Sequence, residues 1–128
     1  MEPAKKTVIL IEDSETFRFI YREILNYHGY EVLEAENGKI GWEKIKNVGP
    51  DLVLLDIMVP EMDGFEVLRM IRSVEATVDI PVIILTAVEG DACQKGLAAG
   101  ATDCIIKGSC SPEEVVFRIS DLLGIRKS

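Results

Sequence analysis

The chain has 128 residues, 48% of them hydrophobic, which suits one globular domain with one core and is too short for two. Its net charge of −8, with Lys and Arg scattered along the sequence, argues against a nucleic-acid-binding surface, which needs clustered basic residues, and favours protein partners. No apolar run approaches the roughly 20 residues of a membrane span, and Met1-Glu2-Pro3-Ala4-Lys5-Lys6 lacks a cleavable-signal pattern, so no membrane association and a cytoplasmic location are expected.

Thr7-Val8-Ile9-Leu10-Ile11 is a buried strand ending in Glu12-Asp13. Asp13 or Ser14 can cap the following helix, whose apolar residues Phe17, Ile20, Tyr21, Ile24 and Leu25 share one face, and Gly29 ends it. Tyr30 to Ala35 alternates in part, as an edge strand does, and Asn37-Gly38 opens a helix carrying Ile40, Gly41, Ile45 and Val48. Asp51-Leu52-Val53-Leu54-Leu55-Asp56, bounded by Pro50 and Pro60, is too short for a helix and reads as a parallel strand buried on both faces. A helix near Phe65 to Arg72 turns Val67, Leu68 and Ile71 inward. Ile80 to Leu85 is the fourth strand, with Thr86 at its exit; Ala92 to Ala99 is a small-residue helix closed by Gly100; Asp103 to Ile106 is the fifth strand, with Lys107 at its exit. Ser111-Pro112-Glu113-Glu114 is a helix start with capping box and N1 proline, followed by inward Val115, Val116, Ile119, Leu122 and Leu123 and a stop at Gly124. Strand and helix thus alternate five times, the pattern of an α/β parallel sheet with helices on both faces.

Cys93, Cys104 and Cys110 are odd in number and lack metal-type spacing, which argues against a disulfide framework or zinc site and for three small buried hydrophobes. The single histidine, His28, falls at a helix end, and Trp42 is expected at a partly packed surface rather than as a binding platform.

Glu12-Asp13, Asp56, Thr86 and Lys107 all stand at strand exits, and in a parallel sheet these exits lie on the one edge where open α/β sheets bind ligands. Any one of them could simply cap the next helix; their convergence points to a site. Two like charges about 4 Å apart repel by roughly 4 kcal/mol at an effective dielectric of 20, so the acids need a cation or raised pKa values. An all-oxygen site of few protein ligands suits Mg²⁺. A carboxylate beside Mg²⁺ is a nucleophile toward phosphoryl groups, and Lys107 with the Thr86 hydroxyl would meet the charge on the transferred oxygens.

Ile11-Glu12-Asp13, Leu54 to Gly64, Ile80 to Ala87 and Gly100 to Lys107 closely resemble the response-regulator receiver domain of two-component signalling, in the family's order and over nearly the whole chain. The resemblance implies one receiver domain over 1–128, core about 6–124, with a flavodoxin-like three-layer α/β/α fold and strand order 2-1-3-4-5. It implies that Asp56 accepts a phosphoryl group from a sensor histidine kinase or phosphotransfer protein. Glu12, Asp13, Asp56 and the backbone carbonyl of Met58 would hold Mg²⁺; Thr86 would be the switch hydroxyl and Lys107 its lysine partner. Such a module is not an enzyme acting on a separate substrate, though it assists its own phosphorylation and dephosphorylation. Its output surface, near residues 91–123, would address a downstream protein or effector domain, with homodimerisation through the last helices among the alternatives.

The sequence departs from the family at two places. Cys104 stands where an aromatic ring usually sits, which points to altered switch coupling. Gly108 replaces a proline often on a cis bond; a cis bond before glycine costs about 2.5 to 4 kcal/mol, so a trans bond or looser loop is expected. Met58 and Val88, both apolar beside the site, suggest a shielded, longer-lived acyl phosphate. The alternative reading is a degenerate receiver that binds partners without phosphorylation, against which stands the full set of site residues. Flavin binding is disfavoured by Glu12-Asp13-Ser14-Glu15 after the first strand, an aspartate-nucleophile phosphatase by Met58 in place of a second acid, and a dinucleotide site by the lack of Gly-x-Gly-x-x-Gly.

Overall fold

Apolar runs of four or five residues, each closed by a polar residue or a turn, leave the backbone no way to bury itself except by pairing side by side. The computed structural model, which describes residues 5–59, 61–87 and 90–125, shows β1 (Thr7–Ile11), α1 (Glu15–Tyr27), β2 (Glu31–Ala35), α2 (Gly38–Val48), β3 (Leu52–Asp56), α3 (Gly64–Ser73), β4 (Val82–Thr86), α4 (Asp91–Ala98), β5 (Asp103–Ile106) and α5 (Pro112–Leu122). The strands form one parallel sheet in the order β2-β1-β3-β4-β5, as expected. The central strands β3 and β4 are buried throughout, while the edge strands β2 and β5 are only partly covered.

Alternation sorts the strand residues into two cores. Leu52, Leu54, Ile83, Leu85 and Ile105 face Tyr21 and Leu25 of α1 and Val115, Val116 and Ile119 of α5. Val53, Leu55, Val82 and Ile84 face Trp42 and Ile45 of α2 and Val67, Leu68 and Ile71 of α3. Trp42 is therefore a core residue rather than a partly packed surface one, because α2 seats it in the buried cluster on this face of the sheet. The expected inward residues Ile20, Ile40, Val48 and Leu122 lie instead at the exposed margins of their helices, where neither the sheet nor a second helix reaches.

The helix ends follow the local chemistry expected of them. Ser14, Asn37, Asp63 and Ser111 each accept a backbone N–H with their side-chain oxygens, and Ser111 and Glu114 complete the capping box with Pro112 in the first turn. His28 is the C-cap of α1, and its ring lies 3.3 Å from Glu113 of α5. At the start of the sheet the Asp51 side chain accepts the Thr7 N–H at 2.7 Å, tying β3 to β1. Tyr30 is buried and its hydroxyl meets that of Ser120 at 2.6 Å, pinning α5 beneath the first strand pair.

Arg72, at the end of α3, knots the opposite side of the sheet. Its guanidinium donates to the carbonyls of Gly100 at 2.8 Å, Val78 at 2.9 Å and Ile80 at 2.7 Å, so one cation joins α3, the α3–β4 connection and the α4–β5 turn. Burial pulls its pKa down, opposed by Asp79. Hydrogen bonds from a charged donor are each worth about 1.5 to 3 kcal/mol, so Arg72→Met should lower the unfolding free energy by roughly 2 to 4 kcal/mol, read from urea melts with an unchanged m value.

Candidate functional site

The exits of β1, β3 and β5 bring Glu12, Asp56 and Lys107 together. Asp56 is the last residue of β3 and is paired with Leu85 of β4; Thr86, the last residue of β4, is paired with Ile106 of β5, so Lys107 begins one step beyond. From there its side chain reaches across β4, and its Nζ lies 2.6 Å from Asp56 Oδ2 and 2.5 Å from Glu12 Oε1. The Phe17 ring of α1 floors the ammonium at 4.7 Å, a cation–π contact. The expectation read Phe17 only as an apolar helix residue; its place four residues after Asp13, on the first turn of the next helix, is the signal that marks it.

Glu12, Asp56 and Thr86 are buried, Lys107 is nearly so, and Asp13 is exposed at the mouth. Asp56 Oδ1 accepts the Met58 N–H at 2.9 Å, so both of its oxygens are engaged. The Met58 side chain is 76% exposed above this contact, and Val88 lies outside the described residues. Glu12 Oε2 accepts the Ser14 N–H at 3.0 Å, and Arg18 donates to the Glu12 carbonyl at 2.8 Å, which fixes the turn carrying the acidic pair.

The turn after Asp56 is folded tightly back. A Cβ on Gly64 would come within 2.5 Å of Ile57 Cα and 2.9 Å of the Asp56 carbonyl oxygen, so only glycine lets α3 start directly behind the strand end. Lys107 is followed by a trans bond, and Ser109 donates to the Ile106 carbonyl at 3.0 Å across a turn whose third residue, Gly108, has φ +86°. The trans bond is as expected; the loop is a closed turn rather than a loose one, with glycine at the position that needs a positive φ.

Burial pushes the Glu12 carboxyl up to about 7; neighbouring Asp56 adds to the rise, while Lys107 and the Ser14 N–H oppose it. Burial pulls Lys107 down, but Asp56 and Glu12 outweigh it and the net shift is upward. Oxygens of Glu12, Asp13 and Asp56 lie within 4.8 Å of one another. Buried Glu12 Oε1 has no aligned hydrogen-bond donor among the described residues, only the close Lys107 ammonium. Three carboxylates against one ammonium leave excess negative charge, and a donor set made only of oxygen suits a hard divalent cation such as Mg²⁺.

The cysteines depart from expectation. Cys93 of α4 and Cys104 of β5 are joined by a disulfide, with Cα atoms 5.6 Å apart, and Cys110 is a free, half-buried thiol. None of the three is fully buried. Their number and spacing conceal the pair, because only the packing of α4 along β5 brings residues 11 positions apart into bonding range.

A five-stranded 2-1-3-4-5 sheet with an acid cluster and a lysine at its carboxyl edge defines a phosphoryl-signalling receiver module. The chain belongs to the response regulator receiver domain family, whose model matches residues 8–120. It is 42% identical over 119 residues to the phosphate regulon transcriptional regulatory protein PhoB of Pseudomonas aeruginosa, covering 92% of this chain and 52% of that protein. The chain thus spans about half the length of the curated relatives it matches. Among solved structures, the BeF3-activated N-terminal receiver domain of Klebsiella pneumoniae RstA superposes with a TM-score of 0.84 at 29% identity, covering 92% of this chain and 98% of that one. The receiver domain of a Pseudomonas aeruginosa sensor histidine kinase, with a magnesium ion coordinated in its active site cleft, gives 0.85 at 27% identity, covering 94% and 99%. Among the described residues no helix is long and apolar enough to cross a membrane.

The raised Glu12 pKa sets a sign for pH dependence. Between the ordinary carboxylate value and about 7 the folded protein holds a proton that the unfolded chain has released, so this group's contribution to stability falls as pH rises through that window. Urea melts in EDTA should show wild type losing stability from pH 5 to pH 8 relative to Glu12→Gln, and parallel pH profiles for the two would contradict the assignment.

Proposed function

We propose that Asp56 is the phosphoacceptor of a two-component phosphorelay. The observation that carries this reading is a buried carboxylate at the end of the central strand, with one oxygen on the Met58 N–H and the other on Lys107, beside a second buried acid. A carboxylate oxygen of Asp56 attacks the phosphorus of a phosphohistidine; the P–N bond breaks, and the imidazole leaves with the electron pair and takes up a proton. The product is an acyl phosphate. The donor is a sensor histidine kinase or phosphotransfer protein.

Glu12, Asp13, Asp56 and the Met58 carbonyl would hold Mg²⁺, which when bound supplies charge neutralisation at the phosphoryl oxygens. Lys107 is already at the Asp56 carboxylate and meets the added negative charge. Thr86 ends the neighbouring strand one step beyond the residue paired with Asp56, and its hydroxyl serves as the switch group. Asp56 and Lys107 point to the α1–α5 side of the sheet while Thr86 belongs to the α2–α3 side, so Thr86 is the group that links the site to the other layer. The same residues assist the formation and hydrolysis of the acyl phosphate, which shifts a pre-existing equilibrium at the surface of residues 91–123.

On this reading residues 1–128 are one receiver domain, core about 6–124, acting in the cytoplasm on a downstream protein or effector domain. The net charge of −8 gives these residues no nucleic-acid role of their own. A homodimer through α4 and α5 is one way the output is delivered.

Incubation with a small-molecule phosphodonor, followed by intact-mass measurement, tests the reading. Wild type should gain a single Mg²⁺-dependent phosphoryl adduct, labile to hydroxylamine and lost in Asp56→Ala. No adduct under any condition would move the assignment to a phosphorylation-independent binding module. Met58 bears on the lifetime of the adduct: Met58→Asn should shorten its half-life several-fold, a barrier change of about 1 kcal/mol, and an unchanged decay rate would remove the shielding role.

A further inference from the structure

The Cys93–Cys104 bond takes no part in the chemistry at Asp56, yet it joins two elements that border the site. Helix α4 is eight residues long, has Gly90 as its N-cap and so no side-chain cap hydrogen bond, and buries only Gly96. That glycine seats the helix directly on the sheet, since a Cβ there would come within 2.1 Å of Ile84 Cδ1. With so little apolar burial, a covalent link to β5 is a large part of what holds α4 in place.

The Cys104 end of the bond lies close to site residues along the sheet. Cys104 is paired with Ile84, and Thr86 with Ile106, so Cys104 and Thr86 lie on one face of adjacent strands, two positions apart. Lys107 follows Cys104 by three residues on the same chain segment. Cys110 packs on the other side of the sheet with the α1–α5 core, away from this pair. In a cytoplasmic protein a disulfide is rare, and those that form are characteristically transient or redox-sensing.

We propose that Cys93 and Cys104 form a reversible thiol–disulfide switch that sets how freely α4 moves against β5 and so gates the response to phosphorylation; the gating part rests on the function proposed above. A low-molecular-weight disulfide such as glutathione disulfide oxidises the pair. One protein thiolate attacks it and expels a glutathione thiolate; the second protein thiolate attacks the mixed disulfide and expels the other. Two electrons and two protons end on the two glutathione thiols, and excess glutathione reverses the exchange.

The test equilibrates the protein in glutathione buffers of graded ratio, blocks free thiols with N-ethylmaleimide, and reads intact mass and amide hydrogen exchange. Oxidising ratios should leave one thiol blocked and reducing ratios three, and α4 amides should exchange at least ~10-fold faster in the reduced protein. Cys93→Ser and Cys104→Ser should show the fast α4 exchange of the reduced protein in every buffer, while Cys110→Ser should still switch. Three blocked thiols at every ratio, or α4 exchange indifferent to the bond, overturns the switch. Wild type reduced with dithiothreitol carries the comparison without any substitution. Phosphodonor and Mg²⁺ are then added: a larger exchange change over residues 91–123 in the reduced than in the oxidised protein supports gating, and equal changes overturn it. Redox-dependent α4 exchange with no phosphoryl adduct supports the tether while overturning the function proposed for Asp56.

Discussion

The Lys107 ammonium, held between Asp56 and Glu12, is the contact on which the carboxyl edge of the sheet depends. Burying a carboxylate without a partner costs several kcal/mol, and here two buried carboxylates share one cation that arrives from the end of β5, two strands from Asp56 and three from Glu12. The arrangement is tolerable because Phe17 floors the ammonium, the Met58 and Ser14 N–H groups take up further lone pairs, and Glu12 holds a proton up to about pH 7. The cluster keeps an excess of negative charge, so the edge is more than a closed ion pair.

That cluster constrains the scaffold around it. Asp56 can sit at the floor of the cleft only because α3 begins directly behind it, which Gly64 permits. The loop between them is clamped from the other side by α2: the Lys39 N–H donates to the Glu61 carbonyl at 2.7 Å, and Gly38 leaves room for the Met62 carbonyl where any side chain would collide. Glu61 and Met62 take positive φ values of 52° and 74°, a strained conformation held by these contacts beside the site. On the far side Arg72 fixes the α4–β5 turn, so α4 is anchored at its C-terminal end while its N-terminal end follows Thr86 through residues 87–90.

Much of this was legible in the chain. The five apolar runs, their order and the polar residues at four of the five exits were enough to derive a parallel α/β sheet with Glu12, Asp13, Asp56, Thr86 and Lys107 on one edge, since strand direction decides which ends meet. The cap residues were legible for the same reason: Ser111-Pro112-Glu113-Glu114 makes its hydrogen bonds within four residues. The surface position expected for Trp42 failed because a periodic pattern locates the inward arc of a helix without saying how wide an arc the neighbours cover. Burial of Trp42 and exposure of Ile20 and Ile40 are opposite sides of that one uncertainty.

The sequence by itself determined the period of each element, the ends of the helices and the types of chemical group at the sheet's edge, because these depend on residues within a few positions of one another. Tertiary structure alone decided that Lys107 spans β4 to reach both acids, that Phe17 lies under it, and that Cys93 meets Cys104. Each of these is a contact between segments whose spacing is set by how helices seat on the sheet, at distances of an ångström or two that no local pattern encodes.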